Sequence, residues 1–157
     1  LPLEAKGDYS DIVVFITFGG VLMSTAANIA IQDGQGTPVT HTFYPIQTTD
    51  PVIYRESLAS TPTIGNGTIN VAVRENASGL VKVTVTMRLP ALETASGANP
   101  EGYTAAPKEA YTNQAKLELV LPVRGTVDQR KDLRVLFADL LGDAQIVDLI
   151  DELRKPY

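Results

Sequence analysis

The sequence predicts an α+β chain in which strands come first and helices last, with the helices lying over one sheet face. Three observations carry this. Residues 80–90 alternate without a break: Val81, Val83, Val85, Met87 and Leu89 take one face, and Lys82, Thr84, Thr86 and Arg88 take the other. Residues 68–74 and 114–122 repeat the alternation. Ile69, Val71 and Val73 oppose Asn70, Ala72 and Arg74, while Leu117, Leu119 and Leu121 oppose Gln114, Lys116 and Glu118. Near the C-terminal end the apolar period becomes helical. Leu133, Leu136, Phe137, Leu140 and Leu141 form one stripe, and Ile146, Leu149, Ile150 and Leu153 a second.

Composition narrows the function classes. A chain of 157 residues suits one domain with a real core, and 44% hydrophobic content argues against disorder throughout. The formal net charge of -5 leaves no global basic excess, so any contact with nucleic acid must come from a local patch. Cysteine is absent, which excludes disulfides and thiolate chemistry. With one histidine and no cysteine, neither a transition-metal site nor any cofactor is expected. No apolar run approaches the roughly 20 residues that span a bilayer, so no membrane partner is expected.

Residues 1–22 admit three readings. The apolar run 12–16, followed by small residues at 24–27, has the outline of a short signal segment. Glu4, Asp8 and Asp11 outnumber Lys6, however, where a signal should begin basic. An extra strand is the plain alternative. The third reading is preferred here: Gly19-Gly20 can be encoded as a ribosome-binding sequence shortly before Met23, making 1–22 a leader read in frame and 23–157 the protein domain.

Residues 26–32 and 39–44 are strand candidates joined by Asp33-Gly34-Gln35-Gly36-Thr37-Pro38, a hairpin loop. Gly34-x-Gly36 lacks the following helix and the Lys-Ser/Thr of a phosphate loop, so it is a turn. Residues 52–56 make a short third strand and 57–65 a loop. Asn76-Ala77-Ser78-Gly79 turns tightly between the strands at 68–74 and 80–89. Residues 93–107 are rich in Ala, Gly, Thr and Pro without periodicity, a length of loop that is usually functional or disordered. A long strand follows over 109–122. Thr126-Val127-Asp128-Gln129 has the form of a capping box, Gly142 stops the first helix, Asp143 caps the second, and Pro156 ends it.

Nothing here marks an enzyme or a small-molecule site. His41 lies among Thr40, Thr42 and Phe43 with no evident nucleophile, and reads as a surface histidine. Asp128, Asp132 and Asp139 read as the solvated face of a helix. Asn66-Gly67-Thr68 and Asn76-Ala77-Ser78 match glycosylation sequons but serve equally as turns, the reading preferred here. The polar sheet face is the sharper signal. Arg74, Lys82 and Lys116 offer phosphate contacts, and Asn70, Thr84, Thr86 and Gln114 offer hydrogen bonds to bases or sugars. Solvated antiparallel sheets also carry Lys and Thr for no such reason.

The order of motifs resembles a family. A hairpin precedes strands ending Val73-Arg74-Glu75-Asn76 and containing Lys82-Val83-Thr84-Val85 before Leu89-Pro90. A small-residue loop, a strand ending Leu117-Glu118-Leu119-Val120-Leu121-Pro122, two short amphipathic helices and a final Tyr157 follow. From Met23 to Tyr157 the chain is similar to the coat proteins of single-stranded RNA bacteriophages, the leviviruses. The resemblance implies an N-terminal β-hairpin, a five-stranded antiparallel sheet and two C-terminal helices packed on the sheet of a dimer partner. It implies a homodimer interface through Leu136, Phe137, Leu140, Ile146, Leu149 and Ile150, assembly into an icosahedral virion shell in the bacterial cytoplasm, and contacts around symmetry axes from the 93–107 loop. The inner sheet face, here Asn70, Arg74, Lys82, Thr84, Thr86, Gln114 and Lys116, would bind genomic single-stranded RNA, including a hairpin that represses translation. The chain departs from the best-known members at Asn70 and Ala72, where they carry small hydroxylated residues, and at Gln114, where they carry a base-stacking tyrosine. Two other readings compete: a non-assembling RNA-binding repressor, and a secreted β-rich binding module that would need residues 1–22 as its signal.

Overall fold

The computed structural model describes residues 16–18, 21–23, 25–58, 62–93 and 106–155. Much of the 1–22 segment and most of the 93–107 loop, with the axis contacts expected of it, therefore lie outside the described residues, as do Pro156 and Tyr157. A two-stranded hairpin pairs β1 (Ile16–Phe18) with β2 (Val21–Met23). A separate six-stranded sheet runs in consecutive order through β3 (Ile29–Gln32), β4 (Thr40–Gln47), β5 (Val52–Glu56), β6 (Thr68–Glu75), β7 (Leu80–Leu92) and β8 (Glu109–Pro122). Helices α1 (Val127–Leu141) and α2 (Ala144–Asp151) complete the α+β order. The main sheet has six strands where five were expected, because the hairpin expected over 26–44, here β3–β4, is part of it. The link is β4, which pairs with β3 on one side and with β5 on the other, Phe43 opposite Glu56.

The described residues fall into two compact units, one within Leu1–Val71 and Val85–Lys116 and the other within Ala72–Thr84 and Leu117–Tyr157. The core of the first is small and follows from strand alternation. Phe43, Tyr54 and Ile69 are buried, with Ala26, Ile29, Val52, Val71, Val85 and Met87 packed around them. Register explains the set: Tyr54 lies opposite Ile69 and Val52 opposite Val71, so these side chains share one face. Burying a side chain such as Phe43 contributes about 2–3 kcal/mol. Gly67 keeps that burial possible. A Cβ there would stand 2.9 Å from Leu89 Cδ2 and 3.1 Å from Phe43 Cε1, too close for either to stay in place.

The second unit shows its local logic at the turns. Asn76 Oδ1 accepts from the Ser78 and Leu80 amides at 3.1 and 3.0 Å, and Gly79 takes φ +69°. That conformation costs glycine nothing, so the β6–β7 hairpin closes tightly. At the start of α1, the Gln129 amide donates to Thr126 Oγ1 at 3.2 Å while Gln129 Oε1 accepts from the Thr126 amide at 3.1 Å. This is the capping box expected from the sequence. Asp143 caps α2 by accepting from the Gln145 amide at 2.9 Å. The second helix ends earlier than its apolar stripe suggests. It stops at Asp151, and Leu153 sits beyond it at φ 55°, outside the helix.

Candidate nucleic-acid interface

The polar side of the sheet can be built strand by strand. In the second unit, Arg74 from the end of β6 and Lys82 from β7 line one open cavity of about 240 Å³ with Glu75, Asn76, Leu80, Glu118 and Val120. Lys82 Nζ lies 2.8 Å from Glu118 Oε1. That pair is about half exposed, so it is worth about 0–1 kcal/mol and yields readily to a stronger anion. The structure therefore brings Arg74 and Lys82 together, with Glu75 and Glu118 as acidic neighbours. Within this unit Thr84 shares the β7 face of Lys82, whereas Thr86 on β7 and Gln114 and Lys116 on β8 belong to the first unit.

In the first unit the register is explicit. Asn70 on β6 lies opposite Ile53, Thr68 opposite Arg55, and Arg55 opposite Tyr44. Asn70, Thr68, Arg55 and Tyr44 thus share one face, opposite the Phe43–Tyr54–Ile69 core. Gln114 and Lys116 are exposed, and Thr86 is half-buried. The sequence does not assign the faces of Tyr44 and Arg55, because β5 is only five residues long and β4, though as long as β6, mixes polar and apolar residues on both sides. The signal was the flanking Phe43 and Tyr54, which bury on the other side.

The family comparison matches the levivirus coat protein over residues 24–157. The chain also superposes on the virus-like particle protein of bacteriophage ESE058 at 31% identity, with a TM-score of 0.75, covering 85% of this chain and 99% of that one. It is similar to the virus-like particle protein of bacteriophage NT-214 at 25% identity, TM-score 0.72, over 84% and 98% of the two chains. A third similar structure is an unassembled, RNA-binding coat protein dimer of a bacteriophage, at 16% identity, TM-score 0.54, over 83% and 96%. The comparison with curated proteins finds no match. The chain belongs to the levivirus coat protein family. It is a capsid protein, a structural component and not an enzyme.

The coat protein's helices are the part least covered. Neither α1 nor α2 buries a residue. Leu136 is 67% exposed, Leu140 49% and Ile150 54%; Phe137 is exposed as well, while Ile146 and Leu149 are half-buried. The six residues expected at a dimer interface thus include four that a single chain leaves open to solvent.

His41 departs from the sequence reading. Rather than a surface histidine it is a clamp, with its side chain only 32% exposed between two carboxylates. Nδ1 lies 2.5 Å from Glu56 Oε1, and Nε2 3.4 Å from Asp33 Oδ2. Glu56 is buried, and its backbone amide donates to Gly67 O at 2.9 Å. The hydrogen bond to Glu56, then the one to Asp33, raises the His41 pKa above its ordinary value against the opposing effect of burial. Asp33 is held below the usual carboxylate range, chiefly by the Val39 amide 2.9 Å from Oδ1, with His41 and the Gln35 amide adding to it against desolvation. Both ring nitrogens face acceptors, so only the imidazolium can donate to both. The cluster ties the β3–β4 hairpin to β5, and its chemistry is structural. Among the described residues no group of three potential ligands could hold a metal.

Proposed function

We propose that this coat protein forms homodimers which close into an icosahedral shell around single-stranded RNA, held on the polar sheet face. The observation that carries the proposal is the state of the helices: fifteen-residue α1 and eight-residue α2 present Leu136, Phe137, Leu140 and Ile150 to solvent in a single chain. An exposed apolar stripe of this length needs a partner surface, and a second copy supplies one in a closed, self-complementary arrangement. The similar bacteriophage dimer is described as RNA-binding and supports the same reading. RNA would lie across Asn70, Arg74, Lys82, Thr84, Thr86, Gln114 and Lys116, with the cations on phosphates and the amides and hydroxyls on bases or sugars. Binding an RNA hairpin would let the same face act as a repressor of translation. Assembly would take place in the bacterial cytoplasm, where the RNA is made.

Electron microscopy of the protein expressed alone, with ultraviolet absorbance of the same fractions, tests this. The chain has six tyrosines and no tryptophan, so packaged RNA dominates absorbance at once. Uniform closed particles absorbing as nucleic acid are expected. Empty particles would overturn packaging, and dimers without particles would point to a non-assembling repressor.

A further inference from the structure

A second feature of the polar sheet face lies away from the residues so far given to RNA. Tyr44 and Arg55 are direct cross-strand partners on β4 and β5, so their side chains emerge side by side. Beside them opens a cavity of about 390 Å³, within the range that holds a small organic ligand. Tyr44 and Ile46 give it an apolar wall, and Tyr44 is 44% exposed, so part of its side chain is open to a ligand. Arg55 lines it and forms no ion pair among the described residues. Ser57 and Thr63 add hydroxyls. Asn66 also lines it, and its Oδ1 is buried with no hydrogen-bond partner. A buried acceptor left unpaired is costly, and a ligand N–H would satisfy it. Glu56 is the one acidic wall, and its Oε1 is already held by His41 Nδ1 at 2.5 Å.

We propose that the Tyr44–Arg55 cavity is a nucleotide subsite, taking one unpaired base of single-stranded RNA against Tyr44 with its phosphate on Arg55. An aromatic face, a guanidinium and an unpaired acceptor together match a base, a phosphate and a base N–H. An apolar peptide side chain would leave two of those three unused. Continuity points the same way: Thr68 lies opposite Arg55, and Asn70 follows two residues on along the same face. The inference rests on the RNA reading above and extends it to a place where that reading put no contact. Stacking of bases on aromatic rings tolerates sequence, so the subsite would add affinity without selecting a particular hairpin.

The test uses the full chain freed of cellular RNA and a 20-nucleotide oligouridylate, with binding followed by fluorescence anisotropy across a salt series. Tyr44→Leu should weaken binding by about five- to 150-fold with the salt slope unchanged. Arg55→Gln should lower the magnitude of the log–log salt slope by about 0.7, the value for one phosphate on a single strand. Photocrosslinking of the unsubstituted protein to a 4-thiouridine-bearing oligomer, mapped by mass spectrometry, reads the contact independently of how the variants fold; the adduct is expected on Tyr44. The subsite is overturned if both variants bind like the unsubstituted chain, or if adducts form elsewhere only, while Lys82→Ala still weakens binding. Failure of the unsubstituted chain to bind the oligomer would overturn the RNA reading itself.

Discussion

His41 shows how one residue can change meaning between sequence and fold. In the sequence it stands alone, with no partner at any telling spacing. The fold brings Asp33 across the β3–β4 loop and Glu56 across the β4–β5 pair. Those contacts are long-range, and no local pattern announces them. Their consequence is a pH dependence with a definite sign. Because the folded pKa of His41 is raised, its contribution to stability is fully present below the unfolded value of about 6.5 and is lost as pH rises through the folded value. Asp33 is lowered, so its contribution is present above its unfolded value and lost as pH falls through the folded one. The clamp is therefore strongest in mildly acidic solution. Thermal melting of the chain beside His41→Gln should show a stability difference that is constant between about pH 5 and 6 and shrinks above neutrality. A difference unchanged up to pH 9 would mean that the imidazolium is not what holds the hairpin.

At the scale of elements, the sequence was most informative where the pattern was long. Thirteen-residue β7 and fourteen-residue β8 were readable from alternation, and α1 from its capping box and stripe. Short elements were readable in place but not in face: β5 falls at 52–56 as expected, yet five residues do not say which side turns inward. β4 continues to Gln47 through a register shift between Pro45 and Gln47, which breaks the alternation that would have exposed its faces. That irregularity is why Tyr44 went unassigned while Lys82, in the middle of an unbroken pattern, did not. Alternation also reports only which residues share a face, never what covers it, so the open stripe of α1 appears only once the fold is known. The stripe makes a sharp prediction. Leu140→Asp would place a charge in the proposed dimer interface, where desolvating it costs about 4 kcal/mol or more, or about a thousandfold in association. Size-exclusion chromatography with light scattering should find monomer or aggregate in place of dimer. Intact, assembling dimers from Leu140→Asp would show that α1 meets something other than a second copy.

Across the whole molecule, charge is distributed by element. The chain is acidic, at -5, which taken alone argues against a polyanion partner. Yet Asp128, Asp132, Asp139, Asp148 and Asp151 lie on the helices, against Arg130, Lys131 and Arg134. The strands carry Arg55, Arg74, Lys82, Arg88 and Lys116 against Glu56, Glu75, Glu109 and Glu118, so the cations are slightly in excess there. A net charge averages over both sets, whereas a bound strand of RNA responds only to what lies within about 8 Å of it at physiological salt. Local cation density can therefore attract RNA to a protein that is acidic as a whole. If so, removing cations from the strands should act on RNA content and leave folding intact. In the Lys82→Ala, Lys116→Ala double variant, each lost phosphate contact lowers the magnitude of the log–log salt slope by about 0.7, so the pair should lower it by about 1.4. Stability should hardly move, because the Lys82–Glu118 pair is solvent-exposed and worth little. Packaged RNA per particle, read from absorbance, should fall, and fall further as salt is raised. Unchanged RNA content and an unchanged salt slope would mean that the cations of β7 and β8 do not carry the RNA, and that the polar face of the sheet is solvated for its own sake.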